Sequence, residues 1–249
     1  MIIIKSDTDI AAMRPACKLA AQTLDMIESY IQAGITTDEI NTLVHDFTIA
    51  HGGIPAPLNY RGFPKSVCTS VNHVVCHGIP SSKTLKNGDI INVDVTTIMN
   101  GWHGDTSKTF FVGDVNPRAR KVTETAQTAL ILGIEKAKPG NTFGDIGHAI
   151  QSFVEAQGMS VVREYCGHGI GKGFHEDPQV MHYGKEGQGT MIKKGMVFTI
   201  EPMVNYGKAG VKLLGDHWTV VTRDKSLSAQ FEHTIAITAN GAEILTCST

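Results

Sequence analysis

Ile90-Ile-Asn-Val-Asp94-Val-Thr-Thr-Ile-Met99 is as apolar as a core strand, yet it carries one carboxylate at its middle. After a short turn, Gly104-Asp105-Thr106-Ser107-Lys108 brings a second carboxylate into the next strand of a hairpin. Strand side chains alternate between faces, so Asn92, Asp94 and Thr96 share one side while Ile91, Val93 and Val95 share the other. A lone carboxylate in such surroundings costs roughly several kcal/mol unless a partner neutralises it. No Lys or Arg stands nearby on that face, so the pattern asks for a cation.

Upstream, Ser6-Asp-Thr-Asp9 reads as a variant capping box. Ile10, Met13, Cys17, Ala20, Leu24, Ile27 and Ile31 then step by three and four as one helical stripe. Pro15 inside it predicts a kink or a late start, and Gly34 an end. Thr36-Thr-Asp-Glu39 caps a second helix striped by Ile40, Val44, Phe47 and Ala50, and 54–64 reads as loop. Downstream, Asn116-Pro117 opens a helix running to about Lys138, and Thr142-x-x-Asp145 opens another striped by Ile146, Ile150, Phe153 and Ala156.

The two runs superpose. Gly34 to Gly52 and Gly140 to Gly158 have equal separations, and Thr36, Ile40, Val44, Phe47 and Ala50 match Thr142, Ile146, Ile150, Phe153 and Ala156. Leu85-Lys-Asn-Gly88 matches Ile192-Lys-Lys-Gly195, and six residues beyond each glycine stands an acid in an apolar strand, Asp94 or Glu201. Glu232 enters its strand, Phe231-Glu-His-Thr-Ile-Ala-Ile237, much as Asp105 does. The expected architecture is one α+β domain over residues 1–249. Duplicated halves, about 1–115 and 116–249, pack around a central antiparallel sheet with helices outside.

Folded face to face, the halves bring Asp94, Asp105, Glu201 and Glu232 onto one inner surface. Four converging carboxylates repel strongly. Two divalent cations balance their charge, with one neutral imidazole, His168, completing the set. Oxygen ligands with a single nitrogen suit Mn, Fe or Co better than a structural zinc. Such a pair of ions acidifies a shared water and polarises a carbonyl, which is hydrolytic chemistry. Gly167-His-Gly-Ile-Gly-Lys-Gly173 lacks the phosphate-loop pattern and reads as a turn presenting His168 to a ligand. His45, His51, His148, His182 and His217 read as surface or packing residues, and Cys68 and Cys76 as small buried ones.

Composition narrows the class. Hydrophobic residues make up 41% and charged residues 18% of 249, with a net charge of −2 and no basic cluster, so neither a nucleic-acid surface nor a membrane span is indicated. Five cysteines without a Cys-x-x-Cys pair, and no signal-peptide pattern, indicate the cytoplasm.

These segments resemble the bacterial type I methionine aminopeptidases, which have the pita-bread fold. The specific stretches are Pro64–Asn72, Val75–Pro80, Gly88–Asp94, His103–Lys108, Tyr165–Gly171, Phe174–Pro178, Phe198–Pro202 and Gln230–Thr234. The resemblance implies two divalent ions (Co, Mn or Fe(II)), with Asp105 and Glu232 bridging, Asp94 on one, and His168 with Glu201 on the other. It implies attack of a bridging water or hydroxide on the scissile carbonyl, His77 near the amide, His175 donating to the carbonyl oxygen, and Glu201 carrying the proton. It implies a methionine pocket of Tyr60, Phe63, Cys68, His77, Phe174 and Trp218. Asn72, Val74 and Ser228 match a monovalent-cation (Na or K) site of some members. The implied substrate is a peptide or nascent chain with Met first and a small second residue, cut by a monomer close to the ribosome. Phe63 departs from a common tyrosine, and Pro15 and His73 are also unusual. Two alternatives stay open: an X-Pro dipeptidase or aminopeptidase P-like activity, and a non-catalytic pita-bread binding protein.

Overall fold

The computed structural model describes residues 1–248. Its helices begin where the caps place them. α1 (Asp7–Glu28) opens on Ser6, whose hydroxyl accepts the Asp9 N–H while the Asp9 carboxylate accepts the Ser6 N–H. α2 (Thr37–Ala50) and α4 (Phe143–Ala156) each open on a reciprocal Thr/acid box, and α3 (Pro117–Lys136) on Asn116. α1 runs unbroken through Pro15, so the late start does not occur. Pro15 and Ala11 both lie on the exposed face, where the carbonyl that Pro15 cannot bond is open to water. The helix also stops before Gly34: Ser29 Oγ donates to the Met26 carbonyl and Tyr30 N–H to Ile27, closing the last turn.

Among the described residues nine strands form one antiparallel sheet and six more form two three-stranded sheets. The main path of the large sheet runs Ile54–Pro55, Ile90–Met99, Trp102–Phe111, Glu232–Thr238, Val197–Ile200, Gly167–Gly169, Glu176–Val180. The short first strand lies within the stretch expected to be loop. The halves join where Glu232 pairs with Ser107 and His233 with Thr106. Their correspondence extends to the backbone: Gly34 N–H bonds Leu85 and Gly140 N–H bonds Ile192, while Gly88 N–H bonds Val112 and Gly195 N–H bonds Ile237.

Ile91, Val93 and Val95 turn to the helices and share a core with Leu24, Ile27, Ile40 and Val44, while α3 and α4 cover a second core around Phe198, Ile200 and Ile235. The helix stripes differ from expectation identically in both halves. Thr48 and Val154 are buried, whereas Phe47 and Phe153 are only half-buried and Ala50 and Ala156 are exposed. At about 100° per residue, positions i, i+4 and i+8 centre the buried face so that i+7 falls at its margin and i+10 outside it. Among the described residues no helix is long and apolar enough to cross a membrane.

α1 lies so close to the sheet that a Cβ on Gly104 would stand 2.3 Å from the Cys17 backbone nitrogen. Backbone cannot yield as a side-chain tip can. Gly104→Ala is therefore expected to cost roughly 3 kcal/mol, read as a lowered denaturant midpoint with unchanged slope. A midpoint equal to the parent's would show that the helix can shift freely.

Candidate active site

The hairpin sets the floor of the site. Asp94 pairs across to Ser107 and Asp105 to Thr96, so both acids project from one face. Glu232 arrives at the junction of the halves, and Glu201 directly follows the Val197–Ile200 strand. His168 sits on the Gly167–Gly169 strand rather than on a turn. The glycines around it serve strand packing: a Cβ on Gly167 would lie 2.4 Å from the Thr199 carbonyl oxygen, and one on Gly169 would lie 2.0 Å from that of Asp177.

All five side chains line one cavity of about 660 Å³. His168 Nε2 stands 3.6 Å from Asp105 Oδ2 and 3.7 Å from Glu201 Oε1. One ligand atom each from Asp105, His168 and Glu232 lie within 4.8 Å of one another. Among the described residues the one Lys or Arg lining the cavity is Arg61, whose guanidinium lies 5.2 Å over the Tyr60 ring.

The acids are held by polar residues that each stand two places from one acid and bond that acid or one on a neighbouring strand. Thr96 donates to Asp105 Oδ1 at 2.8 Å, Thr199 to Glu201 Oε1 at 2.7 Å and Gln230 to Glu201 Oε2 at 3.3 Å. Thr199 also accepts the His168 N–H at 3.0 Å, tying two elements of the site together. Of the histidines read as surface or packing residues, His182 is a packing one: it is fully buried, and its Nε2 accepts the Glu201 N–H at 3.1 Å. The threonines and Gln230 were detectable by alternation, since a polar residue two places from an acid shares its face. His182 carries no such mark.

The electrostatics of the protein alone are unbalanced. Burial, followed by mutual repulsion, holds Asp94 and Glu232 well above the usual carboxylate range. Burial also lifts Glu201 to about 7. At His168 burial works against the charge, but the Asp105 contact and the Glu201 charge outweigh it and raise the ring to about 9. Glu232 Oε1 is buried without any hydrogen-bond partner. An orphaned acceptor there is costly, and a hard cation satisfies it. His168 Nδ1 stands 2.9 Å from the Gly169 carbonyl; as the donor tautomer it leaves Nε2 free for a metal. The donor set thus fits divalent ions.

The wall beside the acids is apolar. Phe63 is 2% exposed and meets Trp218 edge-on at 5.1 Å, with no hydroxyl to place there. Burial pushes the Cys68 and Cys76 thiols well above their ordinary range, so they remain neutral wall. His77 holds a left-handed backbone (φ 55°) and is neutral, its pKa pushed by burial to about 4. Desolvation by the surrounding rings, then the His168 charge, brings His175 to about 4 as well, and its Nδ1 lies 3.0 Å from the Tyr60 hydroxyl. Tyr60 and His175 stack at 5.3 Å, and Phe174 meets both at a tilt, at 4.8 and 4.3 Å. Asn72 and Ser228 meet elsewhere, the Ser228 N–H on the Asn72 carbonyl at 2.8 Å, with Val74 close by in sequence.

The profile of Metallopeptidase family M24 matches residues 11–239. The chain belongs to metallopeptidase family M24. Within this family it is similar to a methionine aminopeptidase of Rickettsia prowazekii, 54% identical over 99% of this chain and 96% of that one. It is also similar to the crystal structure of methionine aminopeptidase from Thermotoga maritima, with a TM-score of 0.97 and 42% identity over 99% of both chains. A prolidase from Pyrococcus furiosus shares the M24 fold with a TM-score of 0.78 and 25% identity, covering 99% of this chain but 66% of that one. The pita-bread arrangement of duplicated halves is common to these M24 structures.

Proposed function

We propose that this chain removes the N-terminal methionine from new proteins and peptides as a metal-dependent aminopeptidase. The observation that carries the reading is the meeting, in one cavity, of the acid–His168 cluster with an apolar wall of Phe63, Cys68 and Trp218. The wall suits an unbranched thioether side chain, which is flexible and packs well against aromatic edges and sulfur. Relatives bearing that name at 54% and 57% identity over nearly the whole chain support it.

Asp94, Asp105, His168, Glu201 and Glu232 would hold two divalent ions, Mn, Fe(II) or Co by their donor chemistry. When bound, the ions supply an acidified water and a Lewis acid for the peptide carbonyl. Glu201, fixed by Thr199, Gln230 and His182, accepts a proton at its carboxylate and returns it to the leaving amine. His175 Nδ1 lies 3.0 Å from the Tyr60 hydroxyl; in the tautomer that accepts from Tyr60, His175 carries its proton on Nε2 and offers it to the carbonyl oxygen. His77 stands beside the amide, and Tyr60, Phe63, Cys68, Phe174 and Trp218 exclude water from the methionine side chain. A monovalent cation at Asn72, Val74 and Ser228 is supported by Ser228 Oγ, buried without a partner. The chain acts as a single catalytic domain and a monomer, in the cytoplasm near the ribosome; its five free cysteines favour a reducing compartment.

The test is a tripeptide panel offered to protein stripped and reloaded with Mn, Fe(II) or Co. Methionine is expected to be released from Met-Ala-Ser, with Leu-Ala-Ser cut at least about 10-fold more slowly. Cleavage of X-Pro peptides without Met-Ala-Ser overturns the reading in favour of a prolidase-like activity. Full metal occupancy with no cleavage at all points to a binding protein.

A further inference from the structure

Lys5 lies just ahead of α1, and its side chain is 3% exposed, with Nζ 2.9 Å from Glu176 Oε2. Lysine is rarely buried, and a charge removed from water needs a close partner. Its origin is rigid: the Lys5 N–H donates to the Gly195 carbonyl at 2.7 Å, and the next residue is the cap of α1. Glu176 passes this anchorage to the segment bearing the site's imidazole. Its second oxygen, Oε1, accepts the Gly173 N–H at 2.8 Å, and the Gly171 N–H closes on the Gly173 carbonyl at 3.1 Å. The packing is tight: a Cβ on Gly171 would lie 2.5 Å from Lys5 Cε.

Between Gly173 and Glu176 stand only Phe174 and His175. His175 is exposed at the cavity rim, and the one side-chain hydrogen bond recorded for its ring is to Tyr60. The ring also packs on Tyr60 at 5.3 Å, His168 at 4.2 Å and Phe174 at 4.3 Å, and the path of its backbone sets where among these rings it stands. That backbone is pinned at Gly173 by Glu176 Oε1, whose sister oxygen takes Lys5, while Phe174 stacks on His103 at 5.6 Å. We propose that Lys5 and Glu176 are positioning residues, a buried ion pair that locks the turn over residues 171–176 and so aims His175 at the peptide carbonyl. The proposal rests on the role given to His175 above.

The test compares the parent with Lys5→Met, Glu176→Gln and the double variant, all loaded with Mn and checked for metal content. It reads kcat and KM for Met-Ala-Ser, the thermal midpoint, and amide exchange over residues 171–177. Each single variant is expected to lose about 10- to 100-fold in kcat with KM changed less than about 3-fold, and to exchange faster over 171–177 while the helices do not. The double variant leaves no lone buried charge, so its midpoint recovers while kcat stays low and the turn stays loose. Recovery of kcat together with the midpoint overturns the proposal, because the pair would then serve stability alone. Unchanged exchange in both single variants overturns it too. If the parent releases no methionine, the activity reading fails, and the exchange measurement still decides whether the pair pins the turn.

Discussion

Glu201→Gln is expected to lower kcat for Met-Ala-Ser by about 10³-fold without unfolding the protein. The fold tolerates the change because its anchors do not depend on charge. The Glu201 N–H is taken by His182 Nε2 at 3.1 Å, and a glutamine Oε1 still accepts the Thr199 hydroxyl that now lies 2.7 Å away. What disappears is an anionic oxygen able to take up and return a proton, in a cavity where burial has already lifted that carboxyl to about 7. One oxygen donor of the metal set is lost as well, so kinetics must be read at matched metal content, measured on the same sample. A fully loaded variant retaining more than about a tenth of parental kcat would assign the proton to another group, since general acid–base catalysis contributes far more than that.

Asp94 and Glu201 were legible because each stands in an apolar strand at the same offset from its glycine, and Asp105 and Glu232 because each enters its strand in the same way. Duplication then implied convergence, which no single strand could show. The hidden parts are contacts without periodicity. Lys5 and Glu176 lie 171 residues apart, and nothing in Ile4-Lys5-Ser6 marks that lysine as buried. His182 looked like any lone histidine, although its position fixes the Glu201 backbone. Pro15 misled in the opposite direction, because a proline on a solvent face leaves its orphaned carbonyl to water rather than breaking the helix. The margins of α2 and α4 misled in step, as duplicated elements should: period identifies a helix, but the neighbour it packs against selects the centre of its buried face.

Removing the divalent ions with a chelator is expected to abolish methionine release and to reverse the protein's preference in pH. In the stripped, folded state Asp94 and Glu232 keep their protons well above the ordinary carboxylate range, burial being the first cause and mutual repulsion the second. Glu201 rises from 4.5 to about 7, and His168 from 6.5 to about 9. Every one of these shifts is upward, so the folded chain binds more protons than the unfolded chain across the interval between the ordinary and the raised values. Their contribution to stability is complete below the ordinary values and is lost as pH climbs through the raised ones. Burial depresses His77 and His233 to about 4 and His182 to about 3, which opposes this loss below the ordinary imidazole value. Above it those rings are neutral folded and unfolded alike, so the stripped protein's thermal midpoint should fall from about pH 7 to about pH 9. Divalent ions favour the deprotonated acids and the neutral imidazole, so loading releases protons, and the gain in midpoint on adding Mn should widen with pH over the same range. Calorimetry of stripped and Mn-loaded protein, in two buffers of different ionisation enthalpy, reads both the midpoint and the protons released. A stripped-protein midpoint that rose with pH would mean that these acids do not crowd a common desolvated space, and the site would lose its electrostatic reason to hold metal.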